Sequence, residues 1–256
     1  MTTFHIDINE IAIFFSILLR ISLLLFMIPL FTGGQIPNMV KAGVSLALGA
    51  FFFPFLRSVV TPLPLEPVAF VLVVLGEILL AMVLSLSMLL VLAAFHLAGE
   101  IISVEMGLGF AQVVDPQGGA QVMVLSRWFN LLAVLLLFSF DGHHMIIQTI
   151  VESFRTIPMG GFFLKHLTYS RMVALSGYLF VIALKIAAPV LIVLMLMNVA
   201  LGLIAKFSPQ INILTTSFPL TIFLGLLFMG FSVSVWGAAT GQFLMQLMEY
   251  LRVITG

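Results

Sequence analysis

An all-α protein made for a lipid bilayer is what this chain predicts, for three reasons. Hydrophobic residues are 62% of 256 and charged residues only 8%, whereas a soluble domain carries about 25% charge. The mean hydropathy is +1.27. The apolar residues also gather into runs as long as, or longer than, the roughly 20 residues a helix needs to cross a membrane. Other classes fall away at once. Without cysteines there are no disulfides and no thiolate metal sites. A net charge of zero argues against nucleic acid or a strongly acidic partner. Met1–Glu10 holds Asp7 and Glu10 where a cleavable signal would be basic, so the first apolar helix is expected to be retained.

The elements follow in order. Ile11–Leu30 is apolar except for Arg20 and long enough to span as a helix. Phe31–Pro37, with Gly33-Gly34, is a turn. Val40–Leu56 is a shorter apolar run, and Thr61–Pro67 is a stiff proline-rich link. Val68–Ala98 carries one formal charge, Glu77, across 31 residues. Glu100–Gln121 is a loop. Val122–Phe140 carries Arg127 and ends at the turn signal Asp141-Gly142. His143–Phe163 is semi-polar and amphipathic, broken by Pro158 and Gly160-Gly161. Met172–Ala205 carries Lys185, with Pro189 four residues on. Ile211–Met248 has no Asp, Glu, Lys or Arg in 38 residues. Hydropathy alone counts six spans. The overlong runs imply helices partly outside the bilayer or broken at glycine and proline, for which Pro219, Gly225, Gly230 and Gly237 offer places. With six spans, Arg57, Arg155, Lys165, Arg171 and Arg252 lie on the side of the termini and Lys41 and Lys206 opposite, which puts both termini in the cytoplasm.

The loop is the most informative stretch. Gly107, Gly109, Gly118-Gly119 and Asp115-Pro116 stop it from continuing as helix. It nevertheless carries Leu108, Phe110, Val113 and Val114. Irregular backbone at membrane depth is tolerated only where it is buried in protein or lines a cavity. Two readings stand: an apolar plug, or a surface re-entrant loop that merely connects two helices.

Arg20, Glu77, Glu100, Glu105, Arg127 and Lys185 sit in or beside apolar helices, where charge is costly and usually functional. They make either an ion relay, with Glu77 and Lys185 as partners, or interhelical pairs that fix packing. Pairing is favoured, because a relay needs more convergent acidic groups. His143-His144 suggests metal, but no acidic or cysteine partner is expected at ligand spacing and neighbours on a helix point apart. No metal or other cofactor is expected. The 15 methionines read as adaptable packing. No nucleophile–base pair, phosphate loop or dinucleotide motif is present, so no catalytic residues are assigned.

Several ordered motifs carry a resemblance. They are Ala98-Gly99-Glu100-Ile101-Ile102, Met106-Gly107-Leu108-Gly109-Phe110 and Val114-Asp115-Pro116; then Asp141-Gly142-His143 and Phe154-Arg155-Thr156-Ile157-Pro158; then Asn198–Ile204, Ser208-Pro209-Gln210-Ile211-Asn212 and Phe218-Pro219-Leu220. From about Arg20 to Gly241 the chain resembles the FliR/SctT export-gate family of type III secretion, on its flagellar side.

The resemblance implies a single-copy, non-enzymatic subunit of the inner-membrane export gate at the flagellar basal body. Its partners would be FliP and FliQ, with FlhB attached, membrane lipid, and unfolded flagellar proteins as substrates; nucleic acid would not be one. It implies long kinked helices and helical hairpins: a FliP-like part over about 1–170 fused to a FliQ-like hairpin over about 171–256. The loop, 105–121, would be the plug, with Met106, Gly107, Leu108, Gly109, Phe110, Val113, Val114, Asp115 and Pro116 closing the pore. Apart from the resemblance, Glu100, Glu105 and Arg127 flank the loop on its two helices and, if they pair, would anchor it. Ser208, Pro209, Gln210 and Pro219 would shape the turn of the C-terminal hairpin. Two rivals remain open, a secondary transporter and a purely structural scaffold.

Overall fold

The computed structural model describes residues 8–28, 36–64, 66–108, 124–163, 166–207 and 213–255. All regular structure among them is helical: α1 (Ile8–Met27), α2 (Asn38–Leu56), α3 (Pro67–Glu105), α4 (Val124–Ser139), α5 (Gly142–Thr156), α6 (His166–Phe207), α7 (Ile213–Phe231) and α8 (Val233–Thr255). By length and composition α1, α2, α3 and α6 can each cross a membrane, and six spans are reached only if α4 with α5 and α7 with α8 each count as one bent span.

Two helices are longer than their apolar runs suggested. α3 has 39 residues and α6 has 42. At 1.5 Å per residue their contour lengths are about 58 and 63 Å, against a hydrocarbon core of about 30 Å. A tilt of 0–40° cannot absorb that difference, so a straight helix of either length is too long to fit wholly within the hydrocarbon. Pro189 sits inside α6 without ending it. α3 also runs through Glu100–Glu105, which was expected to be loop. Nothing in Glu-Ile-Ile-Ser-Val-Glu breaks a helix, and the first left-handed residue is Gly107, at φ 79°.

The chain divides into two compact units. One comprises residues 1–89, 141–174 and 246–256. Here α1 buries Ile17, Arg20, Ile21, Leu24 and Leu25, one stripe at helical spacing. α2 buries only Lys41, Ser45, Gly49 and Leu56. That narrow strip lies against α1: a Cβ on Gly49 would meet Leu18 Cδ1 at 3.4 Å, and the Phe14 and Phe53 rings pack edge to face at 5.8 Å. α5 is the amphipathic piece the sequence announced, burying Ile146, Ile150, Ser153 and Phe154.

The other unit comprises residues 90–140 and 175–245. Its core is mostly aliphatic and packs around a few large aromatic rings. Trp236 and Phe129 are fully buried with ring centroids 5.1 Å apart, and Trp236 Nε1–H donates to the Ile186 carbonyl at 2.9 Å. A buried indole N–H without such an acceptor would be expensive. Gly99 lets α3 lie directly on α4, since a Cβ there would stand 2.9 Å from Phe129 Cδ2 and 3.0 Å from Ser126 Cα. α7 and α8 meet at Ser232 with a 59° bend. This break falls two residues after Gly230, whereas Pro219, Gly225 and Gly237 all lie within helices.

Candidate functional site

The loop is entered through a tightly specified helix end. At the end of α3 the Gly107 N–H donates to Val104 O at 3.0 Å, and the Leu108 N–H donates to Ser103 O at 3.0 Å. This pair of bonds around a left-handed glycine is the Schellman arrangement, which satisfies the last helix carbonyls and turns the chain away. Glycine is required twice over at 107. Its φ is one that L side chains rarely adopt, and an added Cβ would lie 2.6 Å from Phe218 Cε1.

α7 holds this root. Met106 is fully buried. Its side chain occupies the space over Gly225, where a Cβ would come within 2.7 Å of Sδ. The Thr221 hydroxyl lies 3.2 Å from the Met106 carbonyl oxygen, sharing its proton with the carbonyls of Ser217 and Phe218. Phe218, Thr221 and Gly225 therefore make one face of α7, at i, i+3 and i+7, that receives Met106 and Gly107. Leu108, one residue beyond, is 39% exposed. Of the residues expected to form the plug, Gly109, Phe110, Val113, Val114, Asp115 and Pro116 lie outside the described residues, as do Ser208, Pro209 and Gln210 of the expected hairpin turn. Pro219 lies within α7, not in that turn. Sequence reasoning missed α7 as the loop's support. The spacing of Phe218, Thr221 and Gly225 was the available signal, though nothing local pairs it with Met106.

The expected anchoring charges are placed separately. Glu100 faces His96 one turn earlier on α3 at 3.3 Å, with both side chains more than two-fifths exposed. Glu105 accepts from Asn198 Nδ2 at 3.4 Å. Arg127 is exposed, and among the described residues neither glutamate pairs with it.

The charges that do converge are Arg20 and Glu77, each 1% exposed. Arg20 Nε and Nη2 donate to the two oxygens of Glu77 at 2.6 and 2.7 Å. Nη1 donates to the carbonyls of Ser153 at 2.7 Å and Ile157 at 3.1 Å, and Nη2 also reaches Pro158 O at 3.4 Å. All five guanidinium N–H groups thus have acceptors, and the ring of Phe154 lies 4.7 Å from Cζ. Glu77 Oε1 additionally accepts the Gly160 N–H at 2.9 Å. The result ties α1 to α3 and caps the C-terminal end of α5, where a cation is favoured by the helix dipole. Gly76 and Gly160 (φ 70°) permit it: a Cβ on Gly76 would sit 2.7 Å from Gly160 O, and one on Gly160 would sit 2.7 Å from Val73 Cα. Glu77 is therefore committed to Arg20, while Lys185 donates to Gln242 Oε1 at 3.1 Å. The pairing reading holds for Arg20 and Glu77, whereas Glu100, Arg127 and Lys185 are exposed.

The expectation of no acidic group near His143-His144 is corrected. Asp141 takes a left-handed conformation (φ 55°) just before α5. Its carboxylate reaches the first helical turn, where Oδ1 lies 3.2 Å from His144 Nδ1. The two imidazoles do not point apart; their centroids are 4.2 Å from each other.

Comparison with known proteins gives a consistent result. The family model for "Bacterial export proteins, family 1" matches residues 11–247. The chain is 34% identical over 223 residues to the flagellar biosynthetic protein FliR of Pectobacterium carotovorum subsp. carotovorum, covering 87% of this chain and 85% of that protein. It is 32% identical over 214 residues to the FliR of Escherichia coli K12, covering 84% and 81%. To the FliR of Bacillus subtilis 168 it is 30% identical over 213 residues, covering 82% and 81%.

Proposed function

The chain belongs to family 1 of the bacterial export proteins, and from that premise we propose that it is a non-enzymatic core subunit of the flagellar protein-export gate. Its relatives' shared name, with coverage above four-fifths on both sides, supports the flagellar assignment. In this reading it joins FliP and FliQ, with FlhB attached, in a pore of the bacterial inner membrane. Residues of about 1–170 serve as the FliP-like part and about 171–256 as the FliQ-like hairpin.

The observation that carries the gating role is the root of the loop. A connecting loop needs no special support, yet Met106 and Gly107 are seated on α7 by a hydrogen bond, a glycine-dependent close approach and full burial of Met106. A fixed root lets the residues that follow act as a plug. Closure would then be steric and hydrophobic: Leu108, Phe110, Val113 and Val114 fill the axis and exclude water and ions. The glycines let the segment swing when an unfolded substrate enters. The exposed apolar residues of α6, among them Ile192, Met195, Leu196, Val199 and Leu203, suit contact with neighbouring subunits or lipid.

Co-purification tests the reading. Extracted in mild detergent from cells that make flagella, the chain should emerge with two other small hydrophobic subunits. A chain recovered alone, with flagella still assembled by cells lacking it, overturns the proposal.

A further inference from the structure

We propose that Asp141, His143 and His144 form a binding site for a borderline divalent transition-metal ion, with Zn²⁺ as the type, at the start of α5. This inference stands apart from the export-gate reading. One carboxylate oxygen and two imidazole nitrogens, one from each residue, all lie within 4.8 Å of one another. An ion bonded at about 2.0–2.2 Å to two ligands sets those atoms roughly 3.0–3.5 Å apart. The 3.2 Å between Asp141 Oδ1 and His144 Nδ1 already has that value. The third ligand atom, on His143, lies within 4.8 Å of both, and its ring is tilted against that of His144 with centroids 4.2 Å apart.

The donor set chooses the metal. Two imidazoles and a carboxylate suit Zn²⁺, Ni²⁺, Co²⁺ or Cu²⁺, while Ca²⁺ and Mg²⁺ prefer all-oxygen sites. Three ligands also leave coordination positions open for water or for a side chain from elsewhere. The side chains of Asp141 and His144 are 75% and 69% exposed, so the ion has a path in. Asp141 stands at the N-cap position of α5, with left-handed backbone at φ 55°. It also supplies the negative charge that offsets the unfavourable positive end of the α5 dipole.

The test is a titration of the full-length chain, purified in detergent without a histidine tag, using Zn²⁺ by calorimetry and Co²⁺ as a spectroscopic probe. One ion per chain is expected. Asp141→Asn, His143→Gln and His144→Gln should each weaken binding by more than about tenfold. His96→Gln, which removes the histidine beside Glu100, should leave it unchanged. As a readout independent of ligand removal, Zn²⁺ should slow amide hydrogen exchange over residues 142–146 in the unsubstituted chain. No saturable binding, binding unaltered by the three variants, or binding lost in His96→Gln each overturns the proposal.

Discussion

Arg20 and Glu77, 57 residues apart in sequence, form a buried two-pronged ion pair in which every guanidinium N–H and both carboxylate oxygens have partners. The pair holds α1, α3 and the end of α5 together in one unit. Replacing a buried pair by apolar groups is often neutral, whereas removing one member leaves an uncompensated charge.

That asymmetry gives the first prediction. Arg20→Met or Glu77→Leu alone should destabilise the chain by about 3–5 kcal/mol, while the double variant recovers a good part of the loss. Arg20→Lys should also be harmful, because an ammonium cannot reproduce the fork. Thermal unfolding in detergent, run as a double-mutant cycle, reads this out. Additive single losses would show that the two residues act independently.

Gly107 and Gly225 test the loop root. Gly107→Ala adds a left-handed penalty of about 1–2 kcal/mol and drives a methyl into Phe218. Gly225→Ala pushes the buried Met106 off α7. Both should leave the helices intact but raise small-molecule permeability of membranes containing the assembled complex. Equal permeability in variant and parent would mean that α7 does not position the loop.

Deleting 107–118, or substituting Phe110→Ala, should open the closed gate to ions while export is kept or only partly lost. Conductance of the inner membrane checks it. Intact impermeability with correctly assembled complexes defeats the plug.

Gly177, Gly202 and Gly230 have nothing within 4 Å of an added Cβ. Within the chain alone, alanine should be neutral or stabilising by up to about 1 kcal/mol at each. If those helix faces receive neighbouring subunits, the same substitutions lower the yield of complex. Gly76→Ala, by contrast, should destabilise the isolated chain, since its Cβ would meet backbone of Gly160.

Charge removal at Arg127 or Glu100 should change chain stability by no more than about 0.5 kcal/mol, as for ordinary surface sites. Glu105→Gln should behave likewise, because an amide can still meet Asn198. A much larger loss measured on the isolated chain would mean that these groups are paired more strongly than their exposure allows.

Much of the helical order was legible because membrane helices announce themselves by composition, and because α5 has a clean amphipathic stripe. Asp141-Gly142 and Gly107 marked real ends, since each sits where the backbone turns left-handed. Pro54, Pro189 and Pro219 did not mark ends; each lies inside a helix. Glu100–Glu105 reads as loop only by its nearness to the glycines; nothing in it breaks a helix, and the stop is Gly107. The seating of Met106 on α7 escaped for a different reason: its two halves lie 115 residues apart, and no periodicity links them. Arg20 and Glu77 were each conspicuous as lone charges in apolar runs, but which buried charge meets which is a matter of tertiary geometry.

The order of synthesis gives the Arg20 clamp a temporal side. α1 leaves the ribosome before α3 and α5, carrying a guanidinium whose insertion at a helix centre costs about 2.5–3.5 kcal/mol. Glu77 follows 57 residues later, and the last carbonyl it needs, that of Pro158, follows 138 residues later. At about 5–20 residues per second, the arginine waits roughly 7–28 s for its full set of acceptors. Over that time the cost of the lone guanidinium is offset by the apolar residues of α1, and residues 153–158, the last to arrive, complete its set of acceptors.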